Sequence, residues 1–144
     1  MDAFDSDVLI YAAAPGHPLG QRAAALFPAM PARRPWGTVG IGSTLLVPET
    51  LGKPLRDDKT DTVARLSEFL VRLDLRPVDR AIAAQAAVLG AQYKLRMPDA
   101  THLATAIRMG AQRFITNNSK DFGQPIKEIE VVFPADLPDP AYRR

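Results

Sequence analysis

The feature that most constrains this 144-residue chain is its alternation of short apolar runs with longer stretches of helical periodicity. Residues 59 to 73 put Val63, Leu66, Leu70 and Leu73 at helical spacing, which predicts an amphipathic helix. Asp79 is placed to cap an alanine-rich helix over 80 to 94, with Ile82, Ala86, Leu89 and Tyr93 along one face. Pro98-Asp99 opens another helix, with Ala100, Leu103, Ala104 and Ile107 inward and Gly110 as its stop. Strands are predicted at Asp2 to Phe4, around Trp36 to Ile41, at Leu75 to Val78, at Phe114 to Thr116 and at Ile129 to Phe133. A short helix follows Asp5-Ser6-Asp7, where Ser6 or Asp7 can cap it, and another spans about Leu19 to Phe27 after a Pro-Gly-His-Pro turn. Ser43 is read as the cap of a helix carrying Leu45, Leu46 and Glu49, which Pro48 is expected to bend or restart. Strands alternating with helices argue for an α/β fold with a mainly parallel central sheet flanked by helices. In such sheets, sites lie beyond the carboxyl ends of the strands, and Asp5 and Thr116-Asn117-Asn118 both sit just past one.

The length suits one domain over residues 1 to 144, with Pro134 to Arg144 as an irregular tail. Cysteine is absent, which excludes disulfides and thiolate metal sites and agrees with a reducing compartment. No apolar run approaches the roughly 20 residues needed to span a bilayer, and the N-terminus lacks the basic and apolar stretches of a signal peptide. A cytoplasmic protein without a membrane partner is therefore expected. The net charge of +2 tolerates a polyanionic partner without announcing one. Basic residues at Arg33, Arg34, Lys53, Arg56, Lys94, Arg96, Arg108, Arg113, Lys120 and Lys127 fit a phosphate-tracking surface or plain solubilising charge equally well.

The acids are more informative by position than by number. Glu49 is the only acid between Asp7 and Asp57, and Asp99 the only one between Asp79 and Asp121. Both stand in or beside apolar stretches, where an unpaired carboxylate is expensive to bury. Each has a bland reading as well. Asp99, after a proline, complements its helix dipole by about 0.3–1 kcal/mol. Glu49 can face solvent, Asp5 can be a turn residue and Asp121 a loop acid.

Together these segments resemble the motifs of PIN-domain ribonucleases, and within that family most closely the VapC-like toxins of toxin–antitoxin pairs. Phe4-Asp5-Ser6-Asp7-Val8-Leu9-Ile10-Tyr11 resembles the family's opening, and Met97-Pro98-Asp99-Ala100-Thr101-His102-Leu103-Ala104 its third motif. Phe114-Ile115-Thr116-Asn117-Asn118-Ser119-Lys120-Asp121-Phe122 resembles the fourth, and Glu49 falls where the family places its lone glutamate. The motifs come in family order over residues 3 to about 133. Where many members carry an aspartate this chain has Asn118, so Asp121 is the better fourth acid.

The resemblance implies a three-layer PIN-like fold and an endoribonuclease that hydrolyses phosphodiester bonds. It implies Asp5, Glu49, Asp99 and Asp121 as catalytic metal ligands, with Ser6, Thr116 and Asn118 in support. Clustered carboxylates suit a hard cation, Mg2+ or Mn2+, whereas zinc is disfavoured with no cysteine and with His17 and His102 far apart. His102, one turn after Asp99, reads as a packing or hydrogen-bonding histidine rather than a catalytic base. The resemblance further implies an RNA substrate, a small antitoxin and a homodimer, with the 59–73 helix and the segment around Leu45 to Leu55 as candidate surfaces. The competing readings are a catalytically impaired PIN-fold module that binds RNA or protein and a receiver-like α/β domain. The latter lacks an acceptor aspartate after a middle strand and a lysine after a late one, and no glycine-rich loop supports a nucleotide fold.

Overall fold

The computed structural model describes residues 1–29 and 37–142. Five short strands form one all-parallel sheet: β1 (Asp2–Phe4), β2 (Gly40–Ser43), β3 (Leu73–Arg76), β4 (Arg113–Ile115) and β5 (Glu130–Val132), in the order β3-β2-β1-β4-β5. Among the described residues, seven α-helices connect and cover them: α1 (Ser6–Ala13), α2 (Pro18–Ala24), α3 (Leu46–Arg56), α4 (Thr60–Leu70), α5 (Arg80–Tyr93), α6 (Met97–Arg108) and the single turn α7 (Ser119–Phe122). This is the helix–sheet–helix arrangement expected from the alternating pattern.

Strand alternation assigns the two cores. Ala3, Ile41 and Phe114 face one side of the sheet, where Ile82, Leu89 and Tyr93 of α5 and Leu103 of α6 cover them. Phe4 and Ile115 face the other side, among Val8 and Leu9 of α1 and Leu66 and Leu70 of α4. Each large apolar side chain so buried contributes about 1.5–3 kcal/mol. Phe4, Phe27 and Phe69 form an aromatic chain there, with ring centroids 5.0 and 4.9 Å apart. Gly40 lets β1 and β2 approach, because a Cβ there would meet Phe4 Cε2 at 2.6 Å. Among the described residues, no helix is long and apolar enough to cross a membrane.

Several boundaries differ from expectation. The strand predicted around Trp36 to Ile41 is observed at Gly40–Ser43; Trp36, Arg33 and Arg34 lie outside the described residues. Ser43 therefore ends a strand rather than capping a helix, although its Oγ accepts from Leu45 N at 3.1 Å ahead of α3. Asp5, not Ser6 or Asp7, caps α1. The helix expected over Leu19 to Phe27 is Pro18–Ala24, capped by His17 Nδ1. The helix expected to reach residue 73 ends at Leu70, and Leu73 opens β3, so that strand starts and ends earlier than Leu75 to Val78. Pro48 neither bends nor restarts α3: it lies in the first turn, where a missing N–H leaves no bond unmade. α5 and α6 run as predicted, and Gly110 stops α6 with φ +73°. Among its described residues the tail holds two 3-10 turns, Pro134–Asp136 and Pro140–Tyr142, yet it is pinned by buried Leu137 and by Arg22, which donates to Ala135 O and Leu137 O.

Candidate active site

β1 lies centrally, with β2 and β3 on one side and β4 and β5 on the other, so the chain reverses its winding between β1 and β4. A crevice forms at such a switch point, beyond the carboxyl ends of the two strands. A cleft of about 760 Å³ opens there, and all four predicted acids line it: Asp5, Glu49, Asp99 and Asp121. Ser6, Asp7, Tyr11, Asn117 and Asn118 complete much of its wall, and Arg96 and Lys120 add positive charge.

Asp5 is the deepest. It leaves β1 with its N–H donating to Ile115 O across the sheet, and its carboxylate accepts from Ser6 N at 2.8 Å and from Thr116 Oγ1 at 2.7 Å. Thr116 is wholly buried behind the wall and in turn accepts from Asn118 N at 3.1 Å, so the backbone after β4 is wired to the acid after β1. Asp99 enters from the first turn of α6 and is 8% exposed. Its Oδ2 is buried without a hydrogen bond; Arg96 Nε stands 3.6 Å away, within ion-pair range only. Asp121 sits in α7, where Asn118 Nδ2 donates to Oδ2 at 2.9 Å and Asn118 Oδ1 accepts from Asp121 N. Asn118 thus fixes the fourth acid. Glu49, in the first turn of α3, extends its carboxylate to the Nε2 of His102 on α6.

One contributor lies outside the predicted set, and one predicted hydrogen-bonding residue has a partner that spacing does not show. Asp7 was passed over as a helix-start residue, yet it lines the cleft and accepts from Asn117 N at 3.1 Å. The only signal was an acid two residues after Asp5; its partner lies 110 residues away. His102 was recognised as a hydrogen-bonding residue, but its partner Glu49, 53 positions earlier, could not be read from spacing.

The electrostatics follow from burial and crowding. Burial raises the Asp5 carboxyl above its ordinary range, against the positive influence of His102 and the bonds from Thr116 and Ser6, with Glu49 adding to the rise. Burial and then the charge of Asp5 push Asp7 up to about 7, against bonds from Asn117 and Val8 N–H groups. Asp99 is raised by burial, Asp5 and Asp121, and lowered by Arg96 and His102. For His102, burial works downward, but the Glu49 hydrogen bond and the surrounding carboxylates prevail and the net direction is up. The cleft therefore crowds acids whose burial and mutual repulsion outweigh the nearby Arg96 and His102.

Among the described residues, no three acids or histidines stand close enough together to enclose an ion by themselves. The donor set nevertheless fits a hard divalent cation. It is all oxygen, one buried carboxylate oxygen has no partner, and magnesium takes one or two carboxylates while keeping several waters.

Comparison with known proteins agrees with this architecture. Among solved structures, the chain is similar to one in a toxin–antitoxin complex from Klebsiella pneumoniae, with TM-score 0.67 and 26% identity over 93% of this chain and 98% of that one. It also resembles a chain of VapBC2 from Rickettsia felis bound to a DNA fragment from the promoter (TM-score 0.65, 17% identity, 92% and 97% covered). A chain of FitAB bound to an IR36 DNA fragment is similar as well (TM-score 0.64, 20% identity, 96% and 98% covered). These last two show the fold alone. No curated protein matches the sequence. The PIN domain matches residues 3–125, from β1 to just beyond Asp121, and on that match this chain belongs to the PIN domain family, whose members are generally nucleases.

Proposed function

We propose that the protein is a metal-dependent endoribonuclease acting in the cytoplasm, and that it is the toxin of a toxin–antitoxin pair. The observation that carries the nuclease reading is the convergence of Asp5, Glu49, Asp99 and Asp121 on one cleft, with an unpartnered Asp99 oxygen and with Arg96 and Lys120 beside them. Mg2+, with Mn2+ able to replace it, would be held among these four acids, by one or two directly and by the others through its waters. Once bound, it would activate a water and stabilise charge on the leaving oxygen. Hydrolysis adds that water across a phosphodiester P–O bond, its hydroxyl to phosphorus and its proton to the leaving oxygen.

The chain's own residues prepare the site. Thr116 and the Ser6 N–H fix Asp5 in one orientation, and Asn118 does the same for Asp121. Arg96 and Lys120 attract phosphates, which makes binding sensitive to salt. The toxin reading is supported by likeness to the Klebsiella toxin–antitoxin complex over nearly the full length of both chains. A small antitoxin and a second copy of the chain are the partners proposed. Exposed Val47 and Leu55 on α3 and Val71 after α4 offer apolar surface to them.

The test is cleavage of a pooled RNA substrate with and without Mg2+, using wild type freed of bound antitoxin and Asp99→Asn in parallel. Metal-dependent cutting that the substitution removes is expected. A folded wild type that binds metal but cuts no RNA would favour a binding module instead.

A further inference from the structure

His102 is an anomaly for a core position. It lies on α6 among Leu103, Ala104 and Thr101, its side chain 1% exposed, where the helical pattern alone calls for an apolar residue. Both ring nitrogens must be accounted for. Nε2 meets the Glu49 carboxylate, which only accepts, so Nε2 must carry a proton and donate. Nδ1 is buried without a partner. A polar ring placed at that cost, with one productive contact, has its purpose in the contact.

Glu49 needs such a contact. Asp5 is gripped by two donors and Asp121 by Asn118, but Glu49 projects from α3, a helix packed on α1 and α4. Its side chain is 32% exposed, with three rotatable bonds and no hydrogen-bond partner besides His102 among the described residues. Fixing a free glutamate costs side-chain rotamer freedom.

We propose that His102 is a positioning residue that holds the Glu49 carboxylate in the cleft ready for the metal, bridging α3 to the helix that carries Asp99. The proposal rests on reading Glu49 as a metal ligand. Through it, α6 serves the site twice, once directly from its first turn and once, a turn later, through a ring that aims a residue on another helix.

The test is a double-mutant cycle read by Mn2+ binding to the metal-free protein, with circular dichroism to verify folding. His102→Leu is expected to weaken Mn2+ about tenfold, the usual loss when a partner behind a ligand is removed. It should lower kcat on RNA with little change in KM. His102→Gln, which keeps an N–H donor, should lose less. In a Glu49→Gln background, His102→Leu should weaken Mn2+ no further. An equal tenfold loss in that background, or no loss at all, overturns the proposal. Should His102→Leu not fold, His102→Gln is paired with Glu49→Gln in the same way, and additive losses overturn it. A wild type that binds no Mn2+ removes the metal-site reading itself, whereas binding with additive losses removes only the role of His102.

Discussion

Asp5 and Asp99 lie buried at the bottom of the cleft, whereas Glu49 and Asp121 reach it from its rim. The inner pair is 3% and 8% exposed, and burial raises both carboxyls. The outer pair is set on a surface helix and a single helical turn, each held by one side chain, His102 or Asn118. Two carboxylates about 4 Å apart repel by roughly 4 kcal/mol at an effective dielectric near 20. A fold can carry that kind of cost only where packing leaves no alternative position. Hence the inner acids supply fixed positions, and the outer ones supply reach and adjustment.

The contrast can be broken by substitution. Asp5→Asn and Asp99→Asn should each lower RNA cleavage by about a thousandfold or more, the equivalent of about 4 kcal/mol of transition-state stabilisation. Glu49→Gln and Asp121→Asn should cost less, about 10–100-fold. Single-turnover rates at saturating Mg2+ measure all four, and equal losses across the set would erase the distinction between the halves.

Metal-free stability should separate them too. Asp5 and Asp99 have raised carboxyls and Asp7 titrates near 7, so the folded form keeps protons that the unfolded chain, with a carboxyl near 3.8, has lost. The associated stability is full below pH 3.8 and is lost as pH rises, for Asp7 through about 7. His102, also raised, has the same sign. Melting of the metal-free protein should therefore rise by several degrees from about pH 8 to about pH 5.5, at about 3 °C per kcal/mol, and Mg2+ should flatten the trend. Asp99→Asn should raise the melting temperature at neutral pH, and Asp121→Asn should change it less. A fall in the Asp99 variant would instead make that residue a helix cap first. The smallest effect belongs to the rim cations: Lys120→Ala should weaken RNA binding a few-fold and reduce the slope of log affinity against log salt by about one.

What the sequence made legible follows a physical line. α5 and the start of α6 were readable because their signals are local: Asp79 bonds Ile82 N three residues on, and Pro98 lies in the turn it opens. Leu73 was misplaced because it continues the spacing of Leu66 and Leu70; the chain leaves the helix at Val71 and Arg72, and sheet pairing with Gly40 decides the rest. Asp99 and Glu49 stood out as lone acids in or beside apolar stretches, and Asp5 by its place just past a strand. Asp7 and the His102–Glu49 contact did not, since each depends on partners that only the folded sheet brings near. Pro48 misled for the opposite reason, as its effect depends on where the helix begins rather than on the residue itself.

The pairing of β1 with β4 has a consequence for the order of events in the cell. Asp5 is made 111 positions before the threonine that orients it. While the chain is still growing, β1 has β2 beside it on one side and nothing on the other. A nascent protein therefore carries its first acid with no cleft around it, and the complete acid set exists only after β4 has been synthesised and docked. Under the proposed ribonuclease reading, that order delays cleavage until β4 is in place.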